Sequence, residues 1–117
     1  MKKIFFLSTC NTCKKIMDQI SNLNEFEIKD IKTEAITESE IDYMHNLAGS
    51  YDALFSKIAM KYRSLKLNEI QLSEADMRDW ILKEYTFLKR PVVIIEDKIF
   101  IGSSKSTVKS MLDSINM

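Results

Sequence analysis

The apolar run Ile4-Phe5-Phe6-Leu7 gives way, across a polar stretch holding both cysteines, to apolar residues at Ile16, Met17, Ile20 and Leu23. The run has the length of a buried strand, and the later set has the spacing of one helix face. Glu25-Phe26-Glu27-Ile28-Lys29 then alternates charged and apolar residues, the period of a half-buried strand. Residues 3–7, Cys13 to about Asn22, and 25–29 are therefore predicted as strand, helix and strand, a βαβ unit with a right-handed crossover. In such a unit the first loop opens at the carboxyl end of its strand, where α/β folds place their sites.

From Thr37 the period changes. Thr37-Glu38-Ser39-Glu40 has the spacing of a capping box, followed by Ile41, Met44, Leu47 and Ala48 on one face and Gly49 as a stop. Ser50-Tyr51-Asp52 is predicted to start another helix through Leu54 and Phe55, ahead of a basic stretch at Lys57, Lys61, Arg63 and Lys66 that reads as a solvated helix face. Ser73 to Asp76 repeats the capping spacing before Met77, Trp80, Ile81 and Tyr85, so that residues 37 to about 86 read as a continuous helical insertion. The end returns to strands. Val92–Ile95 and Ile99–Ile101 flank a tight turn at Glu96-Asp97-Lys98, Gly102 breaks the hairpin, and Ser103 or Ser104 caps a last helix facing inward through Val108, Met111, Leu112 and Ile115. The predicted order is β-α-β, a helical block, then β-β-α, within a single domain spanning 1–117.

Two glycines and one proline leave few breaks and argue for mostly regular, helix-rich structure. Lys+Arg and Asp+Glu balance at 17 each, without the cationic surplus that gripping phosphates requires. No segment approaches the ~20 apolar residues of a membrane span. The apolar run after Met1-Lys2-Lys3 is shorter than the roughly 7–15 residues of a signal-peptide core. The chain reads as a cytoplasmic monomer without membrane or direct nucleic-acid partners. In a reducing compartment, two close cysteines point to catalysis, redox sensing or metal binding rather than a structural bridge. Two sulfurs and a lone His45 in another helix make a poor metal site, so no metal is expected.

Cys10 lies in the loop before the helical period begins and reads as an attacking thiolate, because helix N-termini stabilise negative charge and lower a thiol pKa. Cys13 shares the apolar face of Ile16, Met17 and Ile20, so it reads either as a resolving thiol or as a small core residue. Pro91, the only proline, opens a strand as an edge residue or as a cis-proline. Arg90 before it becomes an anion clamp or thiolate stabiliser if that strand starts beside the cysteine loop. Gly102-Ser103-Ser104-Lys105-Ser106-Thr107 lacks the glycines of a phosphate-cradling loop, which excludes nucleotide binding of that kind.

In Ser8-Thr9-Cys10-Asn11-Thr12-Cys13-Lys14-Lys15, in Leu54-Phe55-Ser56-Lys57 running on to Tyr62-Arg63-Ser64-Leu65, and in Leu88-Lys89-Arg90-Pro91-Val92-Val93, the chain resembles the arsenate reductase family, and within it the branch of Spx-type regulators. The resemblance spans nearly the whole chain. It implies a thioredoxin-like α/β core with a helical insertion, Cys10 as nucleophile, and Arg90 followed by a cis Pro91. Cys13 matches the second cysteine of the Spx-like pattern. The further oxyanion-holding arginines of glutaredoxin-dependent arsenate reductases fall here on Lys57 or Ile58 and on Gly102, and their Asn-Pro on Ser8-Thr9. The implied function is a thiol-dependent oxidoreductase acting on an arsenate-like oxyanion or a disulfide, with Cys10, Cys13 and Arg90 catalytic and Arg90, Pro91 and Lys57 holding substrate. No bound cofactor is implied; an external thiol (glutathione, glutaredoxin or thioredoxin) would be the donor. The alternative implied function is a redox-switched transcriptional regulator that binds RNA polymerase, with a Cys10–Cys13 disulfide as the switch.

Overall fold

Four strands, β1 (Lys2–Phe6), β2 (Glu27–Asp30), β3 (Val92–Ile95) and β4 (Lys98–Ile101), form one sheet in the order β2-β1-β3-β4. The computed structural model describes residues 1–116, and among them lie five α-helices: α1 (Asn11–Met17), α2 (Glu38–Ala48), α3 (Met60–Ser64), α4 (Glu74–Lys83) and α5 (Lys105–Ile115). β1 pairs in parallel with β2 and antiparallel with β3, which pairs antiparallel with β4. The chain divides into two compact units, one built from Met1–Glu34 and the stretch from Arg90 onward, the other from Ala35–Lys89. No helix among the described residues is long and apolar enough to cross a membrane.

The first unit holds the sheet. Ile4 stands opposite both Ile28 and Val93, so these share one face. On that face Ile4 and Val93 are packed with Ile16, Met17, Ile20, Phe26 and Met111, with Val108, Leu112 and Ile115 at the margin. α1 is shorter than its apolar period suggests. The chain leaves it at Asp18 through turns in which Gln19 N–H bonds Ile16 O and Ile20 N–H bonds Met17 O. Ile20 stays buried although it is no longer helical, so the period outlasts the helix.

β2 begins at Glu27, two residues later than its alternation predicts, after a 3-10 turn at Leu23–Glu25. Phe26 is buried, but Ile28 is 41% exposed while Lys29 is 9% exposed. β2 is an edge strand, so its side chains have a neighbouring strand on one side only and the alternation does not translate into burial. The hairpin forms, with Lys98 paired opposite Ile95 as the first residue of β4 rather than in the turn. Glu96 takes φ +54 in its turn, and its carboxylate accepts from the N-terminal amine at 2.8 Å.

In the second unit the two capping boxes close as read. Thr37 Oγ1 accepts from Glu40 N–H at 3.1 Å while the Glu40 carboxylate accepts from Thr37 N–H at 2.9 Å. Ser73 and Asp76 do the same at 3.1 and 3.0 Å. Gly49 ends α2 at φ +92, a left-handed turn that a side chain would resist.

The helix predicted from Ser50 to Phe55 does not form. The segment closes only single turns, Leu54 N–H to Tyr51 O at 3.0 Å and Phe55 N–H to Asp52 O at 3.2 Å, while Tyr51 and Asp52 N–H both donate to the Glu74 carboxylate, at 2.7 and 3.0 Å. Leu54 O accepts from Lys89 N–H at 2.8 Å, and Phe55 bridges to Leu88. The insertion is therefore three helices joined by irregular chain rather than a continuous helical block. The basic stretch is helical only over Met60–Ser64, although Lys57, Lys61, Arg63 and Lys66 are all exposed as expected.

Candidate active site

The cysteine loop is fixed at both ends. Asp30, at the end of β2, accepts Ser8 N–H at 3.1 Å and Lys32 N–H at 3.1 Å, tying the exit of β1 to its parallel neighbour. Cys10 N–H then bonds Leu7 O at 2.9 Å, turning the chain into α1. Cys10 is the residue that caps α1, in extended conformation, and Lys14 N–H bonds its carbonyl. Its side chain is half-buried, whereas Cys13 is fully buried on the core face of the helix. Both cysteines carry free thiols.

The two thiols are tuned in opposite directions. Partial burial pushes Cys10 up, but this is outweighed by the Cys13 N–H and thiol, the charge of Arg90 and the Thr12 N–H, leaving Cys10 below its ordinary value. For Cys13 burial dominates. Against a lowering hydrogen bond at Leu7, the Cys10 sulfur adds to the rise, and the thiol is pushed up to about 11. The thiol nearer solvent is thus the more acidic, as a nucleophile requires, and the buried one holds its proton.

Strand register places the arginine. Phe5 stands opposite Val92, so the residues before Val92 lie beside the chain leaving β1 toward the cysteine loop. Those residues are Arg90 and Pro91, joined by a cis peptide. β4 ends at the same edge, where Gly102 N–H bonds Pro91 O at 2.9 Å and Gly102 adopts φ +90. Cys10, Cys13, Arg90 and Pro91 therefore converge on one end of the sheet although about eighty residues separate the cysteines from the arginine. Lys57 belongs to the other unit, where it is exposed with its Nζ 3.6 Å from Asp52. Among the described residues no group of three or more His, Cys, Asp and Glu is placed to hold a metal ion.

Residues 5–111 match the ArsC family. The chain belongs to that family. Solved structures agree in fold. An arsenate reductase from Vibrio cholerae is 16% identical, with a TM-score of 0.73 over 96% of this chain and 95% of that one. A Staphylococcus aureus protein solved by NMR is 27% identical, with a TM-score of 0.72 over 94% and 97%. An arsenate reductase related protein from Brucella melitensis is 18% identical, with a TM-score of 0.68 over 93% and 92%. No curated protein matches the chain. The fold is the thioredoxin-like α/β arrangement of this ArsC group, carrying a Cys-x-x-Cys pair at the first strand–helix junction.

Two contributors to this ArsC site escape a reading of motifs. Asp30 holds the cysteine loop through Ser8, and its own carboxyl sits below the usual range: slight burial pushes it up, but hydrogen bonds from Ser8 and Lys32 outweigh that. Thr12, between the cysteines, turns its N–H toward Cys10. An acidic residue closing the second strand was the available signal for the first. The second is a backbone effect, which no residue type advertises.

Proposed function

We propose that this chain is a cytoplasmic thiol-dependent oxidoreductase of the arsenate reductase type, acting through a Cys10 thiolate on an arsenate-like oxyanion or on a disulfide. One observation carries the reading: Cys10 is lowered and Cys13 is raised to about 11, a division of labour between attack and resolution. On a disulfide, the Cys10 thiolate bonds to one sulfur and expels the other as a thiolate. Cys13 then gives up its proton to that leaving group and attacks Cys10 Sγ. The second substrate thiolate departs, and two electrons have passed to the substrate as the Cys10–Cys13 disulfide forms. On an arsenate-like oxyanion, Cys10 displaces water from the pentavalent centre. The resolving attack on Cys10 Sγ then leaves an electron pair on that centre, which becomes trivalent. Arg90 offers a planar donor fork to the anion as well as charge to the thiolate. External thiols, whether glutathione, glutaredoxin or thioredoxin, restore the dithiol, so no cofactor need be bound.

Parallel assays of arsenate and of mixed-disulfide reduction, each with glutathione and with thioredoxin as donor, test the proposal. Turnover on at least one substrate should disappear in Cys10→Ser. Undiminished turnover in that variant would sink the reading.

A second reading, a redox-switched partner of RNA polymerase, is favoured by a different feature. Ile58 and Met60 are 95% and 89% exposed, next to Lys57, Lys61 and Arg63, a surface suited to a protein partner. Capture of polymerase by the oxidised but not the reduced chain would support it; identical capture in both states, or none, would dismiss the switch.

A further inference from the structure

β1 and β4 both run antiparallel to β3, so they run parallel to each other, and the helices that follow them, α1 and α5, start at the same end of the sheet. That end is the one where Cys10 caps α1. Between the two helices, wholly within the first unit, lies an open cleft of about 440 Å³. Small-ligand sites run to roughly 300–1,000 Å³. Thr12, whose N–H faces Cys10, and Ser103 line the cleft. Its wall is apolar where Ile16, Val108 and Leu112 meet.

The rim is cationic. Lys15 projects from α1, and Lys105 and Lys109 from α5. Asp113 also lines the cleft and is taken by Lys109 at 3.1 Å. Lys15 and Lys105 are exposed and make no ion pair among the described residues. Two unneutralised ammonium groups over an apolar wall, beginning two residues from the nucleophile, suit a ligand with separated carboxylates and a short apolar middle. A thiol on such a ligand would lie toward Cys10.

We infer that this cleft seats the small anionic thiol that reduces the Cys10–Cys13 disulfide, a peptide-sized thiol whose carboxylates are held by Lys15 and Lys105. The inference rests on the reductase reading above. The buried Cys13 sulfur is shielded, so the thiolate of the first thiol attacks Cys10 Sγ, forms a mixed disulfide there and releases Cys13 as a thiolate that takes up a proton. A second thiolate attacks the ligand's sulfur in that mixed disulfide, frees the Cys10 thiolate and departs as the symmetric disulfide. Two thiols have supplied the two electrons.

The test compares the wild-type chain with the K15Q/K105Q double variant, both oxidised. Reduction by glutathione below saturation should slow about tenfold in the variant, the equivalent of about 1.4 kcal/mol. Reduction by the uncharged thiol 2-mercaptoethanol should be the same for both. S-methylglutathione, which cannot react, should shift the amide NMR signals of Thr12, Lys15 and Lys105 in the wild type and bind about tenfold more weakly to the variant. Equal glutathione rates with no such shifts would overturn the cleft while leaving the reductase reading intact. Lysine-dependent binding of S-methylglutathione without any reduction by glutathione would keep the cleft as a peptide-anion site and overturn the reductase reading.

Discussion

Cys10 and Cys13 differ in one respect that decides their chemistry, the side of α1 they occupy. At the cap, Cys10 meets N–H groups and the charge of Arg90; one turn in, Cys13 meets the core. The Cys13→Ser variant, keeping only Cys10, should therefore alkylate with iodoacetamide at neutral pH faster than Cys10→Ser, which keeps only Cys13. The latter should react appreciably only well above neutral pH, because burial still raises Cys13 once the Cys10 sulfur is gone. A faster Cys10→Ser protein at pH 7 would contradict the assignment. Arg90 lowers Cys10 through its charge, so Arg90→Ala should raise the Cys10 pKa and slow alkylation at pH 7, while Arg90→Lys should nearly preserve both. If Arg90 also clamps an oxyanion, Lys loses the planar fork, and reduction of an anionic substrate should fall in both variants, by roughly ten- to a hundredfold for one charge-assisted contact. The cysteine spacing and the Arg-Pro pair are legible in the sequence. The support from Asp30 and the Thr12 N–H is not, because both act through backbone groups whose partners are chosen by folding.

Among the elements, those with local stop and start signals form where the signals stand. α2 runs between the Thr37 box and Gly49, and α4 starts at the Ser73 box. Gly49 sits at φ +92 with open space around a would-be Cβ, so the penalty for a side chain there is conformational rather than steric. Gly49→Ala should cost about 1–2 kcal/mol, read as a fall in the urea midpoint at unchanged slope. Thr37→Ala should cost about 1 kcal/mol by the same measurement. α2 and α4 are also joined by a fork. Arg78 Nε and Nη2 donate to the two Asp42 oxygens at 2.8 and 3.1 Å, and Tyr51 Oη donates to Asp42 at 2.6 Å. The Arg78 bonds, then that of Tyr51, hold Asp42 at about 2 rather than 3.8. A carboxyl lowered in the folded state contributes stability that is complete above its unfolded pKa and is lost as pH falls. Urea midpoints of the wild type should therefore drop between about pH 4 and 2, and Asp42→Asn should start lower and show a shallower drop. An unchanged slope in that variant would mean that other carboxylates dominate acid unfolding. The segment from Ser50 to Phe55 shows the opposite case: its composition suits a helix, but it closes only single turns, tied to Glu74 at its start and to Lys89 through Leu54 O.

At the scale of the molecule, the redox pair and its arginine lie in one unit assembled from the two ends of the chain. With no other cysteine present, mild oxidation should give an intramolecular Cys10–Cys13 disulfide in a monomer, at a potential within the roughly −270 to −120 mV spanned by redox-active pairs. Thiol counting and mass spectrometry of the linked peptide check this; exclusively intermolecular dimers would refute it. Residue order alone determined the succession of strands and helices, because apolar periods, caps and breakers act over a few neighbouring residues. It also determined that a Cys-x-x-Cys pair stands at a strand–helix junction. Only the tertiary structure decided which side of the β2 edge strand is covered, where helical periodicity stops being helix, and that Ser50 to Phe55 stops at single turns tied to Glu74 and Lys89. It likewise decided that Arg90 meets Cys10, through the antiparallel register of β1 and β3, and that α1 and α5 enclose a lysine-rimmed cleft beside them. These features depend on pairings between residues far apart in sequence, whose energies exist only once the sheet has aligned them.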